Sequence, residues 1–558
     1  MEYKIENIKL ADVIFKDITE TIEDLEKKYP ERNLKEGSKV TRFAPSPTGF
    51  LHTGALFTTL VNRTLAKETD GVFYLRIEDT DGKREVEGSA KKFIEELSEF
   101  NLAPEEGVVG ENKEQGVYGP YKQSDRGYIY KVCAKELIKR GLAYPCFCSP
   151  EDLDTIRSYQ EENKLIKGYY GRFARCRNLE VEEAIKRIEN GEKFIIRLRS
   201  QGSHLRKVKY KDLVRGNIEI AENDMDIVIV KSDGLPTYHF AHAVDDHFMR
   251  TTTVVRGEEW IASVPVHLEL FKLLGFKAPD YAHLPTIMKL DNGSKRKLSK
   301  RKDPESAVSY FLENGYPQEG VLEYLMGIIN SDFEPWRRAN KDKSLDEFNM
   351  KVSKISTSGA LFDIVKLNDV CKEYIARLNS EEVLEAALSW ANKYNKEYAE
   401  RLNSNLDLAR KIFAMERDNA KKVRKDIYKF SDLEETFSYF YSDLFAKEEI
   451  DFSDVTSRID KEIVKDVLAT YKEVYNENVD KQEWFAGVKA LAEEKGFCTD
   501  MKAYKQEPEK YIGNTSHVAE IIRLAVTGRV NSPDIYEIMQ ILGKEEVLNR
   551  LAKAIELI

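Results

Sequence analysis

The sequence predicts a doubly wound parallel (Rossmann-like) α/β domain that is split by an α+β insertion and followed by an all-α C-terminal region. From Val40 to about Glu106, strand-like and helix-like segments alternate in the order KVTRFA, ALFTTLVNRTLAKETDG, GVFYLRIEDTD and GSAKKFIEELSEF. This βαβα order is typical of right-handed crossovers in a parallel sheet. After an interruption the alternation resumes with DIVIVKSDG, TTTVVRG and VPVHLELFKLLGF, so we assign both halves to one sheet.

The C-terminal region is predicted to be helical because the composition changes there. Beyond Trp336 the chain has only two of its 16 prolines and six of its 30 glycines, so few residues interrupt helices. Segments such as EEVLEAALSWANKYN, DKEIVKDVLATYKEVYN and SHVAEIIRLAVTG have apolar residues at helical spacing. We expect two small helical bundles in this region.

These changes divide the 558 residues into six segments, because a chain of this length exceeds a single core. The segments are a helical N-terminal extension (1–37), the first half of the parallel-sheet domain (38–115), the insertion (116–222), the second half of that domain (223–295), a basic loop with the segment that follows it (296–379) and the helical region (380–558).

Composition excludes several classes of protein. Hydrophobic residues make up 42% of the chain and charged residues 33%, and no apolar run approaches the ~20 residues of a membrane span. The first residues lack the basic-then-apolar pattern of a secretory signal, and six cysteines are too few for a disulfide framework, so we expect a cytoplasmic protein. The net charge of −10 disfavours a nucleic-acid partner only weakly, because binding requires just a local basic surface.

The segment RFAPSPTGFLHTGAL is the first candidate for binding chemistry. It joins a strand to an amphipathic helix through two prolines, so His52 lies in a strand–loop–helix corner. Gly49 and Gly54 let the backbone approach a ligand closely, and free N–H groups at a helix start attract anions. With the Thr48 hydroxyl as a further donor, the corner is predicted to bind the phosphates of a nucleoside triphosphate. A proline-stiffened loop with a solvent-exposed histidine is the alternative.

The second candidate is the basic run KRKLSKRK, in which six of eight residues from Lys295 to Lys302 are basic. Lys297 and Lys300 flank a serine there and are predicted to close over a triphosphate. Their charge matters most as the α-phosphate passes through its transition state. Most such runs are solvated surface loops, but the pairing with the His52 corner across a split sheet favours the catalytic interpretation.

Together the two motifs resemble the signatures of class I aminoacyl-tRNA synthetases, with LHTGA in the place of HIGH and KLSKR in the place of KMSKS. Within that class, FAPSPTGFLHTG, LRIEDTD, GPYKQSDR, GLAYPCFCS, LPTYHFAHAVDDH and VVRGEEW resemble the bacterial type of glutamyl-tRNA synthetase. The resemblance extends from about Lys39 to the C-terminal AVTGRVNSPDIYEIMQILGKEEVLNRL. It implies L-glutamate, ATP and tRNA as substrates, with Mg²⁺ carried mainly by the triphosphate.

The resemblance also implies roles for individual residues. The family's glutamate-binding positions are matched by Arg42, Ser46, Glu78, Tyr238, His242 and Arg256. Its ATP-binding positions are matched by Thr48, Gly49, His52, Gly54, Glu259, Trp260 and Lys300, and its catalytic positions by His52, Lys297 and Lys300. The residue types suit these roles, because arginine binds carboxylates bidentately and a carboxylate such as Glu78 pairs with an ammonium group.

One departure from the family pattern concerns specificity. His242 stands where the family usually has asparagine or valine, and some glutaminyl enzymes have a histidine in a comparable place. The segments PSPTG and RIEDTD nevertheless favour glutamate over glutamine. Five of the eight histidines lie between His239 and His283, but they lack the spacing of a helical metal-binding pair, so packing or substrate contact is favoured for them.

A second departure concerns metal. Cys146, Cys148 and Cys176 resemble a zinc site found in some members, but a structural zinc normally has four ligands. Tyr169 or Tyr170 is a candidate for the fourth, although the spacing to Cys176 does not fit the family pattern. No dedicated metal ligand is assigned on the sequence alone, and zinc remains an open alternative.

The resemblance implies a monomeric ligase that attaches glutamate to tRNA(Glu) through a glutamyl-adenylate and releases AMP and diphosphate. The insertion would hold the acceptor end, the segment 296–379 would contact the stem, and the helical region would read the anticodon. The alternatives are a non-discriminating enzyme that also charges tRNA(Gln) and, less favoured, a glutaminyl enzyme. A paralogue that glutamylates a modified tRNA base is disfavoured, because such paralogues lack an anticodon-binding region whereas this chain has the helical segment 380–558. An RNA-binding module without activity is disfavoured because His52 and Lys300 are intact.

Overall fold

The structure, a computed structural model, describes residues 3–47, 49–80, 86, 88–111, 113–418 and 420–558. The chain divides into two units. The first contains Met1–Tyr310 and Leu322–Ile364, and the second contains Phe311–Val321 and Val365–Ile558. Within the described ranges, no helix is both long enough and apolar enough to cross a bilayer.

The first unit combines short strands with helices. Its strands are β1 (Val40–Phe43), β2 (Val72–Leu75), β3 (Glu106–Gly110), β4 (Lys113–Gln115), β5 (Ala143–Cys146), β6 (Ile195–Leu198), β7 (Lys207–Asp212), β8 (Gly216–Ala221), β9 (Val228–Val230), β10 (Thr253–Gly257), β11 (Asp280–Leu284), β12 (Ile287–Asp291), β13 (Ser294–Lys297) and β14 (Ala360–Phe362). Its helices are α1 (Ile5–Ile14), α2 (Ile22–Lys28), α3 (Thr53–Glu68), α4 (Ser89–Glu99), α5 (Gly127–Lys139), α6 (Pro150–Glu162), α7 (Val181–Glu189), α8 (Tyr238–Phe248), α9 (Val264–Leu274) and α12 (Phe333–Ala339). Two further helices, α10 (Val308–Glu313) and α11 (Gln318–Ile329), contain residues of both units.

A parallel sheet forms the centre of the first unit. β1, β2 and β3 pair in parallel, and so do β10 and β11. The Thr252 N–H donates to the Val40 carbonyl at 3.0 Å, which places β10 beside β1. The parallel order is therefore β3-β2-β1-β10-β11, with α3 and α4 as the crossovers of the first half. The strand order reverses between β1 and β10, where open parallel sheets bind ligands, and the predicted doubly wound fold is confirmed.

The segment between the two halves adds strands of its own. β5, β6 and β9 form a separate antiparallel sheet, while the hairpin β7–β8 attaches to β11 through Asp212 and Tyr281. The sequence predicts β9, within DIVIVKSDG, as a strand of the parallel sheet, and this prediction is wrong. Alternation along a chain indicates the order of strands and helices, but it does not indicate which neighbour a strand pairs with.

The N-terminal extension is an integral part of the first unit. α1 packs on α5 and α7, and Leu10 and Leu25 are buried in the same apolar core as α5. Arg32 donates to both Glu106 carboxylate oxygens, at 2.8 and 2.9 Å, and to the Met249 carbonyl. These contacts tie the extension to β3 and to the end of α8.

The second unit is helical, as predicted for the C-terminal region. Its helices are α13 (Ile364–Ile375, whose first residue belongs to the first unit), α14 (Ser380–Tyr394), α15 (Lys396–Ser404), α16 (Leu406–Ala414), α17 (Leu433–Thr436), α18 (Ser442–Phe445), α19 (Ser453–Arg458), α20 (Lys461–Val474), α21 (Lys481–Glu494), α22 (Met501–Gln506), α23 (Thr515–Thr527), α24 (Ile535–Leu542) and α25 (Lys544–Leu557). The sequence predicts two bundles, whereas the buried side chains from Ile375 to Ile558 form one connected core. The helix α16 packs against α24, which joins the parts that the sequence separates.

Candidate active site

His52 begins the helix that follows the first strand. It is the N-cap of α3, and its Nδ1 accepts a hydrogen bond from the Gly54 N–H at 2.9 Å. The neutral ring therefore carries its proton on Nε2. Burial, together with the charges of Lys300 and Lys297, lowers the pKa of His52 to about 4. Near pH 7 the imidazole is thus a neutral N–H donor, which suits a phosphate oxygen.

A cleft of about 260 Å³ opens beside this corner. His52 and Gly54 line it, together with Glu259 and with Lys297 at the end of β13. A Cβ on Gly257 would lie 2.2 Å from a Glu259 carboxylate oxygen, so a larger residue at this position would displace the Glu259 side chain. The structure therefore brings together four of the residues expected to bind ATP or to act in catalysis.

The basic loop is anchored at its base and exposed at its lysines. Asn292 (φ 49°) and Gly293 (φ 81°) form the two-residue turn between β12 and β13, the pattern of a type I′ hairpin. Asp303 accepts from both Nη atoms of Arg296, at 2.6 and 2.8 Å, and from the Ser299 N–H at 2.8 Å. Asp303 thus connects the residues before and after Leu298, and the loop geometry is fixed by this carboxylate.

The other described residues expected to bind ATP are not among those that line the cleft. Lys300 Nζ lies 4.5 Å from the centre of the Phe50 ring, so the basic loop meets the loop that precedes His52. Gly49 has φ +123°, a conformation that L side chains rarely adopt. Thr48 lies outside the described residues. The ring centre of Trp260, a residue expected on the ATP side, lies 4.4 Å from that of Tyr238, which is an expected glutamate ligand.

Buried charges surround the end of β1. Arg42 Nε donates to both Asp246 carboxylate oxygens at 3.3 Å, and Arg76 donates to Asp246 at 2.7 Å and to Glu78 at 3.0 Å. Although burial opposes ionisation, Arg42 and Arg76 hold the pKa of Asp246 well below its usual value. Burial raises the pKa of Glu78, so a cation placed beside this carboxylate would favour its ionised form.

Arg256, near the end of β10, contributes a third guanidinium to this region. Its Nη1 donates to the Tyr238 hydroxyl at 3.4 Å. The charges of Glu78 and Arg42 also act on Tyr238, so these four expected glutamate ligands lie near one another. Ser46 is exposed on the loop after β1, and the Glu78 N–H donates to the neighbouring Pro45 carbonyl at 3.0 Å, which holds the two segments together.

His242 is fully buried next to Tyr238, with the two ring centres 6.1 Å apart. Its Nε2 lies 3.1 Å from the Tyr281 hydroxyl, and its Nδ1 lies 2.9 Å from Asp246 Oδ2. Burial lowers the pKa of His242 to about 3, although Asp246 opposes this shift. Nε2 is therefore engaged by Tyr281, whereas Nδ1 lies close to the Asp246 carboxylate that pairs with Arg42 and Arg76 but makes no hydrogen bond of good geometry to it.

The three cysteines singled out in the sequence form a cluster in the insertion. The sulfur atoms of Cys146, Cys148 and Cys176 lie within 4.8 Å of one another, the one group of this kind found among the described residues. The Tyr169 hydroxyl lies 3.4 Å from the Cys146 sulfur and 3.3 Å from that of Cys148. Tyr170 instead donates its hydroxyl to the Ile166 carbonyl, so Tyr169 is the tyrosine that joins the cluster.

Several residues of the site are not singled out by the sequence. They are Arg76, Asp212 and Asp246, whereas His267 and His283 are counted there only within a group favoured for packing or substrate contact; all five are buried. The sequence does contain a spacing pattern that points to two of them, Arg76 and Asp246. Arg76 and Glu78 stand two apart at a strand end and share a face, and His242 and Asp246 stand four apart on a helix. The buried Asp212 comes from the distant hairpin β7–β8, and nothing in the sequence indicates this contact.

Comparison with known proteins identifies the family. Residues 39–369 match the family described as tRNA synthetases class I (E and Q), catalytic domain, and residues 382–555 match an anticodon binding domain. The chain belongs to this class I synthetase family. The resemblance seen in the motifs is therefore confirmed.

The class I synthetase assignment holds over nearly the whole chain. Similar proteins include the glutamate–tRNA ligases of Clostridium perfringens strain SM101, 49% identical over 98% of this chain and 99% of the relative, and of Acetivibrio thermocellus, 46% identical over 99% and 100%. A crystal structure of a glutamate tRNA ligase from Elizabethkingia meningosepticum, in complex with its amino acid, has a TM-score of 0.74 and 28% identity. The superposed region covers 93% of this chain and 99% of the Elizabethkingia chain.

Proposed function

We propose that this protein attaches L-glutamate to tRNA(Glu) at the expense of ATP, through a glutamyl-adenylate. The observation that carries the proposal is the placement of Arg42 and Arg256 at the ends of two neighbouring strands, next to the cleft that His52 and Lys297 line. Two guanidinium groups suit the two carboxylates of glutamate, and Glu78 suits its ammonium group. The names of the relatives support the same reaction.

In the first step, an oxygen of the substrate α-carboxylate attacks the α-phosphorus of ATP, and the bond to diphosphate breaks. This step needs no covalent nucleophile from the protein, so catalysis consists of positioning and charge stabilisation. His52 donates from Nε2 to a phosphate oxygen, while Lys297 and Lys300 stabilise the charge that grows on the leaving diphosphate. Glu259 is the one carboxylate among the described residues that line the cleft, so Mg²⁺ would be held chiefly by the phosphates.

In the second step, a ribose hydroxyl at the end of the tRNA attacks the activated carbonyl and AMP leaves. We assign the acceptor end to the segment 116–222, the stem to 296–379 and the anticodon to 380–558, with the protein acting as a monomer. The helical region suits a single-stranded anticodon, whose bases proteins read by stacking and by contacts to base edges.

Aminoacylation of separately purified tRNA(Glu) and tRNA(Gln) tests the proposal, with glutamate and glutamine offered in turn. We expect glutamate on tRNA(Glu) and no charging with glutamine, because His242 is fully buried and its Nε2 is engaged by the Tyr281 hydroxyl. Glutamate on both tRNAs would identify a non-discriminating enzyme. Charging with glutamine would refute the assignment of the amino acid.

We also propose that Cys146, Cys148 and Cys176 hold a structural zinc ion together with the Tyr169 hydroxyl. Three sulfur atoms and one oxygen within a few ångströms match the number of ligands that structural zinc requires. The ion would brace β5 against the turn that contains Cys176, far along the chain from the cleft. Metal analysis of the purified protein should find one zinc per chain, and Cys148→Ser should remove it. A zinc-free protein with three free thiols would refute this part.

A further inference from the structure

Arg256 is held from two sides by histidines. Its Nε donates to His283 Nε2 at 3.1 Å, and its Nη2 lies 3.2 Å from His267 Nδ1. His267 in turn lies 2.9 Å from His239, Nε2 to Nδ1. An arginine has no acceptor atoms, so each histidine nitrogen that faces it must be unprotonated. The orientation of the guanidinium therefore depends on which ring nitrogen of each histidine carries the proton.

Asp212 determines which ring nitrogen of His283 carries the proton. The His283 Nδ1 lies 2.6 Å from Asp212 Oδ2, and a carboxylate only accepts, so Nδ1 carries the proton and Nε2 is free to accept from Arg256. The other oxygen of Asp212 accepts from the N–H groups of Val214 and Arg215, at 3.0 and 2.9 Å. Asp212 and His283 are both buried and His283 is neutral, because burial lowers its pKa.

Asp212 does not belong to the strands that form the candidate site. It is the last residue of β7, in the hairpin β7–β8 that lies between the two halves of the parallel sheet in the chain, and it pairs with Tyr281 of β11. β11 carries His283, which stands opposite Arg256 in the register of β10 and β11. A continuous chain of side chains therefore runs from this hairpin to the candidate carboxylate-binding arginine.

We propose that Asp212 is a positioning residue for Arg256: it fixes the tautomer of His283, and His283 orients the guanidinium that binds a carboxylate of the amino acid. This inference rests on the proposed role of Arg256 in glutamate binding. Asp212 touches no substrate atom, and its effect reaches glutamate through two hydrogen bonds. The hairpin β7–β8 thereby contributes to amino-acid affinity as well as to the edge of the sheet.

Asp212→Asn is the decisive variant because it keeps the shape and changes the hydrogen-bond pattern. The asparagine side chain has one NH₂ group, which must take the place of one carboxylate oxygen. That NH₂ group then faces a donor, either the backbone N–H groups of Val214 and Arg215 or His283 Nδ1. If it faces His283, the tautomer reverses, and Nε2–H then opposes the Arg256 Nε–H. We expect the KM for glutamate in aminoacylation of tRNA(Glu) to rise about 10- to 100-fold, the loss of one hydrogen bond to a charged group. The KM for ATP should change less than about threefold.

Two further variants separate positioning from a general loss of structure. Glu219→Gln makes the same chemical change on the same hairpin, where Glu219 pairs with exposed Lys209 at 2.6 Å, and should leave the KM for glutamate unchanged. His283→Gln in the Asp212→Asn background supplies an amide oxygen that can accept from Arg256 whichever way the new amide at position 212 faces, and should restore most of the affinity. A purely structural role of Asp212 would not be rescued in this way.

The outcomes distinguish this inference from the proposed function. If Arg256→Ala raises the KM for glutamate but Asp212→Asn does not, the positioning role is wrong and the proposed function stands. If Asp212→Asn raises the KM values for glutamate and ATP equally, or if His283→Gln gives no rescue, Asp212 is structural and the inference is overturned. If Arg256→Ala leaves the KM for glutamate unchanged, Arg256 is not a glutamate ligand and both fail.

Discussion

The buried histidines predict that the first unit loses stability in mildly acidic solution, while the second unit is much less affected. The pKa of His52 is about 4 and that of His242 about 3, both below the value of about 6.5 in an unfolded chain. Between pH 6.5 and 4 the unfolded state therefore binds protons that the native histidines do not. Because the unfolded state binds more protons in this window, the free energy of unfolding falls as the pH falls.

The magnitude follows from these values. Between pH 7.5 and 5.5, each of the two histidines lowers the free energy of unfolding by about 1.3 kcal/mol, and both together by about 2.6 kcal/mol. The pKa values of His239, His247, His267 and His283 are also lowered, with burial as the main cause, so they act in the same direction. A loss of this size is a large fraction of the about 5–15 kcal/mol that stabilises a typical domain.

Hydrogen-exchange protection factors at the two pH values measure this loss in each unit separately. Amides of α8 should lose at least about 80-fold in protection, which corresponds to about 2.6 kcal/mol, and His242→Asn should reduce that ratio about tenfold. Carboxyl groups titrate alike in both proteins, so the comparison isolates His242. Helix α23 is the internal control, because the second unit contains a single histidine, His517. Identical pH dependence of α8 in the parent and in His242→Asn would refute the reasoning.

Three further substitutions test the basic loop and the extension. Lys300→Ala should lower the single-turnover rate of glutamyl-adenylate formation about 100-fold with little change in ATP affinity, since its contact strengthens in the transition state; weaker ATP binding at an unchanged rate would contradict this role. Asp303→Asn should lower kcat about tenfold and expose the loop to limited proteolysis, because the amide keeps one acceptor oxygen but loses the negative charge and the second acceptor that hold Arg296 and Ser299; an unchanged cleavage pattern would show that the loop is fixed by other contacts. Arg32→Met should reduce the free energy of unfolding by about 3 kcal/mol in urea titrations, because Glu106 loses its bidentate partner, whereas a loss below about 0.5 kcal/mol would mean that water compensates the carboxylate fully.

The sequence predicts the class of fold and the residues of the phosphate cleft because their signals are local. The alternation of strands and helices, the corner before α3 and the lysine loop can each be recognised within about 20 residues, and the structure places His52, Gly54, Glu259 and Lys297 around one cleft. These motifs depend on turn chemistry and helix starts, which neighbouring residues determine.

Other features depend on pairing between distant segments, and the sequence does not indicate them. β9 reads like a strand of the parallel sheet, yet its partner is β6, since an apolar strand fits any buried neighbour. Trp260 stands next to Glu259 in the chain, but a 3₁₀ turn from Glu258 to Ser263 directs its ring to Tyr238. The contact between Asp212 and His283 joins residues 71 apart, and no periodic pattern announces it.

The N-terminal extension has a practical consequence for anyone who would divide this chain into modules. The family match starts at residue 39, so a truncated gene would naturally be cut there. Such a cut removes Asp12 and the Phe15 and Ile18 carbonyls, to which the largely buried Lys135 is bound, and strips the cover from an apolar face of α5. A fragment that begins at residue 39 would expose the apolar face of α5 and leave the Lys135 ammonium group without these partners. We therefore expect it in inclusion bodies rather than in the soluble fraction after expression.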